Sequence, residues 1–147
     1  MERRNLRRAR ERGFTLIEIM VVVVIIGLLA AIVAPNFFSQ VDTATINAAR
    51  SDIRGIETAL NLYRLDNFRY PTTAEGLEAL VSNPGGAVEE TWKQYLPRVP
   101  SDPWNVPYQY RSPGQQSGGD FDVFTLGRDG QEGGDGQDAD IGNWNIE

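Results

Sequence analysis

One feature constrains this chain more than any other, an uninterrupted apolar segment near the N-terminus that contains one carboxylate. Residues 14–35 read FTLIEIMVVVVIIGLLAAIVAP, and Glu18 is their only charged side chain. At about 1.5 Å per residue they form a helix of about 33 Å, enough to cross a hydrocarbon core of about 30 Å. The sequence therefore predicts a transmembrane helix.

The charges on either side of this segment predict its orientation. Residues 1–13 carry six arginines, and no lysine or arginine follows until Arg50. Basic clusters beside a membrane helix lie on the cytoplasmic side, so the N-terminus is predicted to be cytoplasmic and the remainder outside. The alternative is a nucleic-acid-binding arm. The arm is disfavoured because it abuts a long apolar segment, where arginine clusters usually set topology. Beyond residue 13, eight basic residues stand against eighteen acidic ones, so the rest of the chain is too acidic to suggest nucleic-acid binding.

An ordinary secretory signal is the alternative to a retained anchor. Ala30, Ala31 and Ala34 supply the small residues of a signal-peptidase site. The apolar run is longer than a typical signal core, however, and a helical pattern follows it instead of a polar mature start. We therefore favour the retained helix.

The chain contains neither Cys nor His, which restricts its chemistry. Thiol nucleophiles, disulfides, ordinary zinc sites and the usual general base are thereby excluded. A soluble domain of roughly 80 residues without disulfides has a limited core and needs a metal or neighbouring subunits to stabilise it. A membrane-bound hydrolase that uses the acidic tail lacks a nucleophile–base pair, so a non-enzymatic role is predicted.

Glu18 has two interpretations. A carboxylate within a membrane helix costs about 2.5–3.5 kcal/mol on insertion scales, so a functional partner is expected. If the chain were cut between Gly13 and Phe14, the new α-amine of Phe14 would be positively charged and could pair with Glu18, within one chain or between neighbouring chains. Alternatively, Glu18 snorkels to the interface.

Residues 12–18, RGFTLIE, resemble the class III signal peptides of type IV pilins and type II secretion pseudopilins. The resemblance implies that a prepilin peptidase of the inner membrane cuts after Gly13 and methylates Phe14. It also implies that Glu18 neutralises the amine of an adjoining subunit during assembly.

The helical pattern continues beyond the membrane segment to about Asn67, a predicted helix of about 80 Å. Gly27 and Pro35 weaken it, and the resemblance implies that the stretch between them is partly unwound in filaments. Further on, apolar residues recur at spacings of three and four. This stripe is predicted to pack on the chain's own sheet, with a coiled coil as the alternative; it comprises Ile46, Ala49, Ile53, Ile56, Leu60 and Tyr63.

The sequence after Asn67 predicts a short helix and a small sheet. Thr72 and Glu75 form a capping-box pattern before a short helix, within a run, YPTTAEGLEALV, that resembles the pseudopilin segment. Residues 106–112 and 121–126 are predicted to be antiparallel strands joined by a turn at 114–119. The family implies three short strands that pack on the helix.

Aromatic side chains cluster between Trp92 and Tyr110. Packing in a small core is favoured over a carbohydrate-binding platform. The run DPWNVPYQY resembles the pseudopilin pattern, which usually has a glycine near Asn105.

The tail from Leu126 intersperses glycines with carboxylates. Five like charges so close favour disorder when unpaired, whereas Ca²⁺ accepts six to eight oxygens and would neutralise them. The run differs from the EF-hand pattern, so the residues alone leave a calcium loop and a disordered acidic tail open. Ile141 and Trp144 follow directly and need a core to enter.

Major pseudopilins bind one Ca²⁺ in this loop, which the resemblance implies here too. The expected ligands are the side chains of Asp129, Asp138 and Asp140, with backbone oxygens near Leu126 and Gln131. Asp135 is a further candidate, and Glu132 is expected to face solvent.

We therefore predict an α+β, pilin-like fold: a leader at 1–13, a transmembrane and assembly helix at 14–37, and a periplasmic domain at 38–147. The resemblance implies a major subunit of a homopolymeric filament that drives export of folded proteins by type II secretion. Its implied partners are the prepilin peptidase, an inner-membrane assembly platform and minor pseudopilins, without nucleic acid. A type IV pilin for adhesion or motility is the alternative, but the chain lacks the Cys pair of many such pilins.

Overall fold

The computed structural model describes residues 13–146, except the side chains of residues 34–39. The predicted leader apart from Gly13, and the side chain of Pro35, lie outside the described residues. The chain forms one long helix, α1 (Leu16–Asn67), followed by a three-stranded antiparallel sheet, which confirms the α+β prediction. Two compact units divide between Ser39 and Gln40. The predicted domain boundary at 37/38 stays a prediction.

The first unit contains the apolar part of α1. Its 18-residue stretch Leu16–Val33 has a mean hydropathy of 3.1, and each of its residues is exposed. This stretch is long and apolar enough to cross a membrane. The backbone is helical through Gly27 and Pro35. The predicted unwinding between these two residues concerns the assembled filament and stays a prediction.

In the second unit the predicted stripe of α1 forms the centre of the core. Its members are buried, apart from Ile46, which is partly buried. They pack with residues of the sheet and of the intervening loops, such as Leu80, Val88 and Val123. The chain's own core therefore covers the stripe, as predicted, and no coiled-coil partner is needed for that.

The connection after α1 is held by local hydrogen bonds. The chain turns at Phe68, whose φ of +58° lies in the left-handed region. The predicted capping box is present: the Thr72 amide donates to Glu75 Oε2 at 2.7 Å, and the Glu75 amide donates to Thr72 Oγ1 at 3.2 Å. The helix that follows is a 3-10 helix, Leu77–Leu80.

The sheet consists of β1 (Gln109–Arg111), β2 (Asp122–Thr125) and β3 (Ile141–Gly142), with β2 in the centre. Tyr110 pairs with Val123, and Thr125 pairs with Ile141. The first two strands are shorter than predicted. Prolines at 107 and 113 lie on either side of β1 and cannot donate to a ladder, which limits its length.

The aromatic cluster packs inward, as predicted. Trp92 Nε1 donates to the Ala79 carbonyl oxygen at 2.7 Å, and the Tyr95 ring centroid lies 5.3 Å from that of Tyr63. Trp104 and Tyr110 also pack against the core. Nearby, Asn105 has a φ of +66°, a conformation that glycine favours and asparagine tolerates. The departure from the pseudopilin pattern at Asn105 is therefore compatible with the fold.

Candidate functional site

The predicted cleavage position lies just before α1 begins. Gly13, Phe14 and Thr15 are non-helical and exposed, and Phe14 is 84% exposed. Exposed, non-helical backbone is the kind of segment that peptidases reach. The geometry is thus compatible with cleavage between Gly13 and Phe14, which stays a prediction.

Glu18 completes a capping box at the start of α1. The Thr15 amide and Thr15 Oγ1 donate to Glu18 Oε2 at 2.8 and 2.9 Å, and the Glu18 amide contacts Thr15 Oγ1 at 3.3 Å. The polar groups at the helix start satisfy one another in this way, which lowers the cost of placing them near a membrane. Thr15 was not among the predicted functional residues, although the spacing T-x-x-E indicates this capping role.

The acidic tail, residues 126–140, forms a loop that is called the acidic loop below. Its path depends on glycines. Gly127 has a φ of +69°, and a Cβ there would lie 2.7 Å from the Gln137 carbonyl oxygen. Gly134 has a φ of +82°, and a Cβ there would lie 2.4 Å from the Asp138 carbonyl oxygen. Both positions combine a left-handed backbone with a close approach of two chain segments, so only glycine is compatible with them. The tail is therefore an ordered loop and not a disordered appendage.

The three aspartates expected as the main ligands already accept hydrogen bonds in this loop. Asp129 Oδ1 accepts from the Gln131 amide at 3.0 Å, and Asp140 Oδ2 accepts from the Gly133 amide at 3.0 Å. Asp138 accepts from the Arg128 guanidinium at 2.9 and 3.0 Å.

The other expected contributors differ in exposure. Gln131, Glu132 and Asp135 are exposed, whereas Leu126 is partly buried. Within residues 13–146, the structure does not gather three acidic side chains into one metal-binding group. The calcium site thus stays a prediction.

The chemistry of the loop nevertheless fits a hard cation. Asp140 Oδ1 is buried and has no hydrogen-bond partner. A buried carboxylate oxygen without a partner is costly, and an oxygen-preferring dication would satisfy it. Asp129 and Asp138 supply further carboxylate oxygens in the same loop. This orphaned oxygen favours a cation more strongly than the number of acidic residues does.

Gln137 ties the loop to the rest of the second unit. Its side-chain amide donates to Oδ1 of Asp42, which lies where α1 enters the second unit. Its Oε1 accepts from Trp104 Nε1 at 3.1 Å. Just beyond the loop, Ile141 is buried and Trp144 packs against Phe124 with ring centroids 5.6 Å apart. The predicted entry of the tail into the core is confirmed.

Asp122, which was not predicted from the sequence, organises the turn between β1 and β2. This buried carboxylate accepts from the amides of Gln115, Gln116 and Ser117 at 2.6, 2.8 and 2.9 Å. Burial raises the pKa of Asp122, but these hydrogen bonds outweigh it and hold the pKa below its usual value. Asp122 therefore has a structural role in the turn.

Two family models together match most of the chain. The model described as type II secretion system protein G matches residues 36–144. The model described as the prokaryotic N-terminal methylation motif matches residues 8–34, which include the RGFTLIE segment.

Curated relatives agree with these matches along nearly the whole length. The chain is 53% identical over 142 residues to the type II secretion system core protein G of Pseudomonas aeruginosa, which covers 95% of this chain and 99% of the relative. It is 52% identical over 140 residues to the protein of the same name from Vibrio cholerae, covering 94% of each.

A solved structure is also similar. The crystal structure of the major pseudopilin from the type 2 secretion system of enterohaemorrhagic Escherichia coli matches with a TM-score of 0.62 and 43% identity. The match covers 75% of this chain and 95% of that one. On these matches, the chain belongs to the type II secretion system protein G family.

Proposed function

We propose that this chain is the major structural subunit of the pseudopilus of a type II secretion system. It is anchored in the bacterial inner membrane with its N-terminus in the cytoplasm and residues 38–147 in the periplasm. After assembly it forms a periplasmic filament that drives the export of folded proteins across the outer membrane. Its role is structural and not enzymatic.

The exposed apolar segment of α1 is the observation that carries this proposal. Residues Leu16–Val33 are exposed throughout, so they need an apolar environment outside their own fold. Lipid supplies that environment before assembly, and the same segments of neighbouring copies supply it in the filament. One segment therefore serves both storage and assembly.

Cleavage would change what Glu18 contacts. In the uncleaved chain its carboxylate accepts hydrogen bonds from Thr15. Removal of residues 1–13 by a prepilin peptidase leaves a positive α-amine on Phe14, which is then N-methylated. The Glu18 carboxylate of an adjoining subunit neutralises this charge during assembly. The inner-membrane assembly platform and the minor pseudopilins are the other proposed partners.

Two substitutions separate the charge of Glu18 from its capping role. Glu18→Gln keeps a capping side chain but removes the charge, whereas Glu18→Val removes both. We expect both variants to insert in the membrane and neither to form filaments. Normal filaments from Glu18→Gln would refute the charge-pair mechanism while leaving the anchor intact.

A deletion strain distinguishes secretion from the type IV pilin alternative. Loss of the chain should abolish export of folded proteins and leave surface pili and twitching unaffected. Restored export on complementation is the expected control. Loss of twitching with normal export would favour the pilin alternative, which the secretion-system names of the relatives disfavour.

We further propose that the acidic loop binds one Ca²⁺. Asp129, Asp138 and Asp140 would supply side-chain oxygens, with backbone oxygens near Leu126 and Gln131 and with Asp135 as a further candidate. The ion would supply positive charge to crowded carboxylates and stabilise the loop. The unpartnered Asp140 Oδ1 supports this proposal.

Melting in EDTA tests the calcium proposal. At free Ca²⁺ of about 100 times Kd, binding adds about 2.7 kcal/mol to stability. EDTA should therefore lower the Tm of the full-length chain in detergent micelles. Asp140→Asn should remove most of this sensitivity, and Glu132→Gln, at an exposed position of the same loop, should keep it. An unchanged Tm in EDTA would refute the calcium proposal.

A further inference from the structure

Arg128 closes the acidic loop with both its backbone and its side chain. Its amide donates to the Gln137 carbonyl oxygen at 2.8 Å. Its Nε donates to Asp138 Oδ1 at 2.9 Å, and its Nη2 donates to Asp138 Oδ2 at 3.0 Å. Because both carboxylate oxygens are engaged by one planar guanidinium, the pair has the bidentate geometry of a specific contact.

The same guanidinium is the local counter-charge for the loop. Arg128 is the only basic residue from 112 to 147, a stretch that holds five acidic residues between 129 and 140. Asp138, a proposed calcium ligand, therefore has Arg128 as its counter-charge.

We infer that Arg128 is a built-in cation that holds Asp138 when calcium is absent and competes with calcium for it. The inference rests on the proposed calcium site and concerns what controls its affinity. The guanidinium already engages both carboxylate oxygens of Asp138, and its positive charge repels that of calcium. Calcium that binds through Asp138 must therefore displace this ion pair or bind beside its positive charge, and either lowers the affinity of the site.

Two consequences follow for the loop. Without calcium, the Arg128–Asp138 pair keeps the two ends of the loop together and partly replaces the ion. With calcium, breaking the pair weakens binding, so the site fills at a higher calcium concentration than its carboxylates alone would set. Arg128 is thus a residue that tunes affinity and is not itself a ligand.

Calcium titration of the full-length chain in detergent micelles tests the inference. Isothermal calorimetry with CaCl₂ gives Kd, and the Tm in EDTA reports on the loop without the ion. Arg128→Gln should lower Kd by about two- to fivefold, the range expected for release of an exposed ion pair. It should also lower the Tm in EDTA.

Two further variants serve as controls. Arg128→Lys keeps the charge but loses the planar fork, so its Kd should lie between those of Arg128→Gln and the wild type. Arg64→Gln breaks another exposed ion pair, 3.2 Å from Asp120, and should leave the calcium Kd unchanged.

The outcomes separate this inference from the calcium proposal. Equal Kd values for the wild type and Arg128→Gln, or a weaker Kd for the variant, would overturn the role of Arg128 while the calcium site stands. Absence of calcium binding in both proteins would overturn both. Tighter binding by Arg128→Gln together with a lower Tm in EDTA would establish the competition.

Discussion

Glu75→Gln should destabilise the second unit by about 2–3 kcal/mol at neutral pH. The Glu75 carboxylate accepts three hydrogen bonds of 2.7 Å, two from the Arg69 guanidinium and one from the Thr72 amide. Chiefly because of the Arg69 hydrogen bonds, the pKa of Glu75 falls from 4.5 to about 2. At about 1.4 kcal/mol per pKa unit this shift corresponds to about 3 kcal/mol, an upper figure because the side chain is 21% exposed.

The pH dependence of this effect has a definite sign. Since folding lowers the pKa of Glu75, its stabilisation is complete above the unfolded value of 4.5 and is lost as the pH falls towards 2. Urea unfolding of the full-length chain in detergent micelles, followed by tryptophan fluorescence, measures the free energy of unfolding at each pH. The difference between the wild type and Glu75→Gln should therefore be largest near neutral pH and shrink on acidification.

A nearby glutamate supplies the matched control. Glu78 is exposed and lies on the 3-10 helix three residues further on. Glu78→Gln should change the free energy of unfolding by less than about 0.5 kcal/mol, as is usual for surface positions. A difference between Glu75→Gln and the wild type that stays constant from neutral to acid pH would refute the electrostatic account.

Three other substitutions test the loops and the helix start. Gly134→Ala should lower the Tm because its Cβ would clash across the loop, whereas Gly130→Ala, with a φ of +65° but open space, should lower it less. Asp122→Asn should cost about 2 kcal/mol, measured by urea unfolding, because at least one of three backbone amides loses its acceptor. Thr15→Val should speed hydrogen exchange of the Glu18 amide and Thr15→Ser should not, because only the latter keeps the hydroxyl. Equal exchange in these two variants would contradict the capping role.

Patterns contained within a few residues predicted much of this fold. The apolar segment predicted a membrane helix, and the stripe that includes Ile53 and Leu60 predicted the buried face of α1. The Thr72–Glu75 box was predicted because its partners lie three residues apart. Such features depend on helical geometry alone, so the sequence carries them without knowledge of the tertiary fold.

Contacts that depend on the assembled loops were not predicted. The bidentate pair of Arg128 with Asp138 joins residues ten apart, and Asp122 receives amides from a turn five to seven residues away. Neither spacing corresponds to a helical or strand period. β3 was expected from the family and not from its two residues, whose pairing depends on the position of β2. The Thr15–Glu18 box also joins residues three apart and could have been predicted from the sequence, but it was not.

The C-terminal segment of this chain contacts the part of α1 that is synthesised first in the second unit. Gln137 donates to Asp42, and Arg54 donates to the carbonyl oxygen of Ile146, next to the end of the chain. Contacts between such distant residues form only when both partners are present. While its last residues are still on the ribosome, these two contacts are absent, so the second unit completes its packing only after they are released. A chain truncated before Gln137 would lack both contacts, so residues 137–146 are needed to complete the second unit.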